Sequence, residues 1–193
     1  MKKLSSTLPN MLLSLTLIAA VAAALLAFVY QTTKPTIDAS KLITLQKGID
    51  NVVPEHDNNP YDERIEVDDY MIYPARMAGN LTGVAVESYT NNGFAGYVKV
   101  LVGIDIEGNV VNYTVLEQSE TPGLGSKMDA WFREVGTPKC VIGQSLTTPL
   151  VVSKDGGTID AISAATISSR AFLETLNGAY DVMQRALNEG KIK

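Results

Sequence analysis

Cysteine and histidine are nearly missing from this 193-residue chain, each occurring once. With Cys140 alone there is no intramolecular disulfide, no ferredoxin-like iron–sulfur cluster and no thiolate zinc site built from this chain. The lone His56, in the run Pro54-Glu55-His56-Asp57, argues against a Ser-His-Asp triad or a histidine-held metal and reads as a solvated loop residue. No residue is assigned as catalytic or as a metal ligand, and any redox role would need an organic cofactor. Basic clusters are lacking as well. The formal net charge is −5, with 16 basic and 21 acidic residues, and no aromatic–basic interleaving, which excludes nucleic acid as a partner. The 16 basic residues less Lys2 and Lys3 leave 14 against 21 acidic, about −7 on the remainder. That charge favours solubility and says nothing of a partner. Internal repeats, long polar tails and a βαβ nucleotide-binding fingerprint are absent too. The length then allows one domain with a real core and one appendage.

Charge is also lacking from Met11 to Tyr30, twenty consecutive residues rich in Leu and Ala. Twenty helical residues span about 30 Å, the thickness of a bilayer's hydrocarbon core. The expectation is a cytoplasmic N-terminus over residues 1–10, a transmembrane helix over 11–30, a linker over 31–39 and an extracytoplasmic domain over 40–193. Lys2 and Lys3 set the orientation, Lys34 and Lys41 weaken the bias, and Tyr30 falls at the interface. A cleavable signal peptide is the competing reading, with Ala22-Ala23-Ala24 as cleavage residues. The apolar run continues past them through Leu25, Leu26, Phe28 and Val29, so a retained single-pass anchor in the inner membrane, in contact with lipid, is expected.

Beyond Thr32-Thr33-Lys34-Pro35-Thr36, the spacing of Leu42, Ile43, Leu45, Ile49, Val52 and Val53 predicts a short helix ending before Pro54. Residues 54–64 are polar and turn-rich and read as a loop. From Val98 to Ile106 apolar residues alternate with Lys99, Leu101, Gly103 and Asp105. Glu107-Gly108-Asn109 makes a turn, and Val110 to Leu116 returns, so the pair reads as a hairpin of half-buried strands. Val84 and Val86 suggest another strand and Leu150-Val151-Val152 a further one. Lys127 to Val135 predicts a short helix stopped by Gly136. The last helix carries Phe172, Leu176, Ala179, Tyr180, Met183 and Leu187 on one stripe, with Ser168 or Ser169 as its cap. The fold class is α+β: one antiparallel sheet with helices packed on it.

Two loops carry the chemistry. Asp160-Ala161-Ile162-Ser163-Ala164-Ala165-Thr166-Ile167-Ser168-Ser169 places five hydroxyl or acid side chains immediately before that last helix. A threonine at a helix start has its hydroxyl beside free backbone N–H groups and the positive end of the helix dipole, a favourable place for a phosphate. The plainer reading is a capping cluster, although a cap needs only one such residue. Upstream, Thr121-Pro122-Gly123-Leu124-Gly125 combines one fixed dihedral with glycines that permit close backbone approach to a flat ligand. The plainer reading there is an ordinary turn into a helix.

The first loop resembles the flavinylation motif of the FMN-binding domain family, Asp-x-x-Ser/Thr-Gly-Ala-Thr-x-Ser/Thr. Asp160, Ser163, Ala165, Thr166 and Ser168 match, and Ala164 stands where the family usually has Gly. The second is similar to the Glu-Thr-Pro-Gly-Leu-Gly signature of the G subunit of the Rnf electron-transport complex and of its relative, the C subunit of the sodium-pumping NADH:quinone reductase. This resemblance implies FMN held covalently by a phosphoester to Thr166. It implies a separate flavin transferase that uses FAD and Mg²⁺ and releases AMP, with Asp160 as a recognition contact. It implies Thr121, Gly123, Leu124 and Gly125 against the flavin ring, Leu124 packed on it and backbone N–H groups reaching its carbonyl oxygens. The other membrane subunits of an Rnf-type complex, which couples ferredoxin:NAD oxidoreduction to ion translocation, become the partners. The corresponding reductase component, another flavinylated carrier, or a colourless membrane-tethered binding module are the alternatives.

Overall fold

The computed structural model describes residues 7–192. Lys2 and Lys3, on which the orientation of the anchor rests, lie outside them. The described chain divides between Ile43 and Thr44 into two compact units.

The first unit is the bulk of α1 (Leu8–Val52). Its apolar segment is long and hydrophobic enough to cross a membrane, and none of it is buried within the protein. Leu12, Leu15, Ile18, Leu25 and Phe28 all stand well exposed, a surface suited to hydrocarbon and consistent with single-pass anchoring. The segment expected as a linker, 31–39, is helical. Pro35 sits inside α1 and removes one backbone donor, but one missing N–H does not end a helix this long. Thr32 and Thr33 place their hydroxyls on the carbonyls of Phe28 and Val29 four residues back, so these polar side chains consume their own hydrogen-bonding capacity along the helix. The separate short helix expected over 42–53 is the end of this same helix.

The second unit is built on a five-stranded antiparallel meander in the order β1-β2-β3-β4-β5. Its strands are β1 (Ile65–Val67), β2 (Tyr70–Met77), β3 (Asn80–Gly93), β4 (Gly96–Asp105) and β5 (Val110–Gln118). The expected hairpin is β4 and β5, and the Val84–Val86 strand is β3, which pairs Val84 with Ile104 and Val86 with Val102. β5 is partly exposed along most of its length, whereas the middle of β4 is buried on both faces. Val98, Val100, Val102 and Ile104 face one core, and Leu101, on the opposite face, is also fully buried with Tyr73, Ala75 and Ala85. The cover on that second face is the last part of α1, through Ile49 and Val52. Gly103 makes the approach possible, because a Cβ there would overlap the Val52 carbonyl.

The first face is covered by α3 (Thr166–Asn188), which buries Phe172, Leu173, Leu176, Ala179, Val182, Met183 and Ala186. Phe172 stacks on Phe132 with centroids 4.4 Å apart and meets Tyr113 edge-on at 4.8 Å. The Tyr113 hydroxyl, its phenol pushed up by burial, donates to the Met128 carbonyl at 2.8 Å. This ties β5, the short α2 (Met128–Trp131) and α3 together beneath the two loops of interest. The helix expected over 127–135 shrinks to that one turn after a 3-10 turn at Gly125–Lys127. Leu150-Val151-Val152 forms no strand and contributes only a single parallel bridge, Val152 to Ile159. His56 is half-buried, not solvated, with Nδ1 3.0 Å from the Pro54 carbonyl.

Candidate functional site

The start of α3 is where the two loops meet. Thr166 is its first residue, and Ala165 occupies the cap position without a side-chain hydrogen bond. Ser168 and Ser169 are therefore not caps but buried residues of the first turn. The Ser169 hydroxyl accepts from the Ile162 N–H at 2.9 Å and donates to the Ala165 carbonyl at 3.0 Å, fastening the incoming loop. The Ser168 hydroxyl donates to Glu120 Oε2 at 2.7 Å. Glu120 is 5% exposed, and its other oxygen accepts from the Ala95 N–H in the β3–β4 turn at 3.4 Å. One buried carboxylate thus joins three segments distant in sequence, a charge-assisted arrangement stronger than neutral bonds.

Gly125 is buried where this junction is tightest. A Cβ there would stand 2.5 Å from Ser168 Oγ and 2.6 Å from Glu120 Oε2. Gly123 plays a different part: its φ of +78° forms the turn, and nothing lies near its missing Cβ. The loop's backbone donors are turned inward. Leu124 N–H and Ser126 N–H donate to the Thr121 carbonyl and Gly123 N–H to Ser126 Oγ, so these groups are occupied within the turn. Ala164, at the position where glycine was expected, has φ of +62°, a left-handed conformation that costs an L-residue roughly 1–2 kcal/mol.

Between the loops lies a pocket of about 310 Å³ lined by Phe94, Thr121, Leu124, Ala164, Thr166 and Ile167, with Glu120, Gly125, Ala165 and Ser168 forming the rest. Phe94 is 67% exposed, and Leu124 and Ile167 stand well out of the core. The structure thus assembles Thr121, Leu124, Gly125, Ala165, Thr166 and Ser168 around one cavity. Asp160, Ser163 and Gly123 do not line it. Asp160 points to Ser153, whose hydroxyl donates to Oδ1 at 2.9 Å, while its backbone carbonyl accepts from Trp131 Nε1 at 2.9 Å. Ser163 is exposed. Phe94, Ile167 and Lys154, whose Nζ donates to Thr166 Oγ1 at 3.0 Å, were not among the expected residues. An exposed aromatic in a Gly-Phe-Ala-Gly turn was the available signal for Phe94; sequence offers none for Lys154.

Residues 93–181 match the family model described as the FMN-binding domain, and residues 13–52 match that of the RnfG N-terminal region. Curated relatives, each named as the G subunit of an ion-translocating oxidoreductase complex, align along most of the chain. One from Aliivibrio fischeri (strain MJ11) is 32% identical over 90% of this chain and 89% of its own length. One from Yersinia pestis is 32% identical over 89% of this chain and 88% of its own. A third, from Cereibacter sphaeroides, is 33% identical over 90% and 83%. The chain belongs to the family of G subunits of ion-translocating oxidoreductase complexes. In this RnfG-type chain the matched FMN-binding span opens at the end of β3 and closes in α3, so it encloses every residue of the pocket. The pocket suits that cofactor. Phe94, Leu124 and Ile167 give its lining apolar surface for a flat ring, and the lining Thr166 hydroxyl with Lys154 Nζ 3.0 Å from it would suit a phosphate.

Proposed function

We propose that this chain is the membrane-anchored electron carrier of an ion-translocating oxidoreductase complex, with FMN joined by a phosphoester to Thr166. The carrying observation is the position of the Thr166 hydroxyl, on the first turn of α3, at the rim of an apolar pocket and 3.0 Å from Lys154 Nζ. The first turn's unpaired N–H groups and the helix dipole favour the negative phosphodiester there. Attachment proceeds on a flavin transferase with FAD and Mg²⁺. The Thr166 oxygen bonds the flavin-side phosphorus, the bond to the adenylate phosphate breaks, AMP leaves, and the hydroxyl proton passes to a base on the transferase. Asp160 holds the loop by its bond to Ser153 and remains a recognition contact in this reading.

Bound FMN supplies the one- and two-electron chemistry. The protein's own share is to fix the phosphate, cover the ring with Phe94, Leu124 and Ile167, and hold the rim through Glu120, Ser168 and Ser169. The names of the relatives support a place among the other subunits of such a complex; in this reading the complex couples ferredoxin:NAD oxidoreduction to ion movement. Lys2 and Lys3 favour a cytoplasmic N-terminus, which puts residues 40–193 outside the inner membrane. The test is co-expression of the full-length chain with a flavin transferase, followed by in-gel fluorescence after denaturation. Fluorescence on the band, dependent on the transferase and absent from Thr166→Ala, is expected. A colourless band beside a flavinylated control substrate overturns the proposal.

A further inference from the structure

The 3-10 turn at Ser153–Asp155 holds the attachment segment with three consecutive side chains. The Ser153 hydroxyl donates to Asp160 Oδ1 at 2.9 Å. Lys154 Nζ donates to Thr166 Oγ1 at 3.0 Å. Asp155 accepts a bidentate pair from Arg170, Nε at 2.6 Å and Nη2 at 2.8 Å. The turn therefore grips both ends of the 160–166 loop and the next turn of α3. The three contacts differ in chemistry. Asp155 meets a guanidinium and Ser153 a carboxylate, both matched acceptors or donors. Lys154 instead donates to a neutral hydroxyl, while its charge acts on the nearby Asp155 carboxylate through space. The neighbouring carboxylates, Asp155 and Asp160, are already engaged by Arg170 and Ser153. A cation bonded to a neutral oxygen gains a counter-charge in direct contact once that oxygen is esterified to phosphate.

We infer that Lys154 is the positioning residue for the phosphoryl group at Thr166, aligned by its neighbours Ser153 and Asp155. This rests on the covalent reading above. Its ammonium pairs with the negative charge gathering on the non-bridging oxygens as the Thr166 O–P bond forms, and afterwards with the phosphodiester. Ser153 and Asp155 act through Lys154 and touch no phosphate.

The test measures the transfer rate from FAD to the full-length chain in detergent, with purified transferase and Mg²⁺, for wild type, Lys154→Met, Lys154→Arg and Asp155→Asn. Lys154→Met is expected to slow attachment by about tenfold, a discounted loss for one solvent-screened donor to a developing phosphoryl charge. Lys154→Arg is expected to recover most of the rate, which a merely structural contact would not explain. Asp155→Asn is expected to fall between, since the charge stays and its alignment loosens. Equal rates for wild type and Lys154→Met overturn this inference and leave the covalent reading standing. A slow Lys154→Arg with the same thermal midpoint as wild type overturns the charge-pairing role. No attachment to wild type, with the transferase active on a control, overturns the covalent reading and this inference with it.

Discussion

Adding one methyl group at Gly125 tests the junction that holds the two loops together. In Gly125→Ala the new Cβ would stand 2.5 Å from Ser168 Oγ, 2.6 Å from Glu120 Oε2 and 2.8 Å from Ser168 Cβ. All three lie far inside ordinary contact distance, and none belongs to a flexible tip that can swing away, because Glu120 and Ser168 are both buried and bonded to each other. Relief must break that bond or shift the loop. A hydrogen bond to a charged group contributes about 1.5–3 kcal/mol, and overpacking a close-fitted site costs about 1–3 kcal/mol. A loss of about 3 kcal/mol is the central expectation, which lowers the thermal midpoint of a chain this size by roughly 6–12 °C. Trp131, the single tryptophan, donates to the Asp160 carbonyl at 2.9 Å, so its fluorescence reports unfolding from beside the site in detergent-solubilised full-length protein. Gly123→Ala is the control. Nothing lies near its Cβ, and its cost is the left-handed φ alone, about 1–2 kcal/mol. A Gly125→Ala midpoint lowered no further than that of Gly123→Ala would refute the close-contact argument.

Ala164→Gly relieves the φ of +62° but restores freedom to the unfolded chain, so a small net stabilisation of under about 1 kcal/mol is expected; a midpoint lowered by several degrees would contradict it. Gly103→Ala is expected to be the most damaging of the glycine changes, because its Cβ overlaps the Val52 carbonyl and lifts the end of α1 from the sheet. Yield of folded protein equal to wild type would count against that. Phe172→Ala removes the ring that stacks on Phe132 and meets Tyr113 edge-on and is expected to cost about 3–5 kcal/mol by denaturant unfolding. The Arg170 guanidinium holds the Asp155 carboxyl below its ordinary value. A depressed acid contributes stability that is complete above its unfolded pKa, about 3.9, and is lost as pH falls through the lower folded value. Between pH 8 and 5 the difference in midpoint between wild type and Arg170→Met is expected to stay constant and to shrink only below about pH 4; a difference that changes near neutrality would disprove the assignment.

Much of the fold was legible because its signals are local. The alternation through Val98–Ile104 and the Gly108 turn define β4 and β5, and the stripe from Phe172 to Leu187 defines α3. The alternation concealed that Leu101 is buried as well, since only the distant end of α1 covers that face. β2 gives no alternating signal: Ile72, Tyr73, Pro74 and Ala75 are buried in succession, as expected of a strand covered on both faces. Pro35 and its polar neighbours suggested a break that a 45-residue helix absorbs. In the site, Thr166, Leu124 and Gly125 could be found from their loops. The bond from Ser168 to Glu120 spans 48 residues and Lys154 reaches Thr166 across a loop, so neither pairing is written in spacing. Ser168 and Ser169 looked like caps because serine favours that place, yet burial turned their hydroxyls to Glu120 and to the Ile162–Ala165 turn.

The covalent attachment is tested most directly by peptide mass mapping of the full-length protein after co-expression with an active flavin transferase. One peptide spanning Thr166 should gain the mass of FMN less water, with fragmentation placing the addition on Thr166 and Thr166→Ala lacking it. An unmodified Thr166 peptide, or FMN on any other residue, would contradict the account.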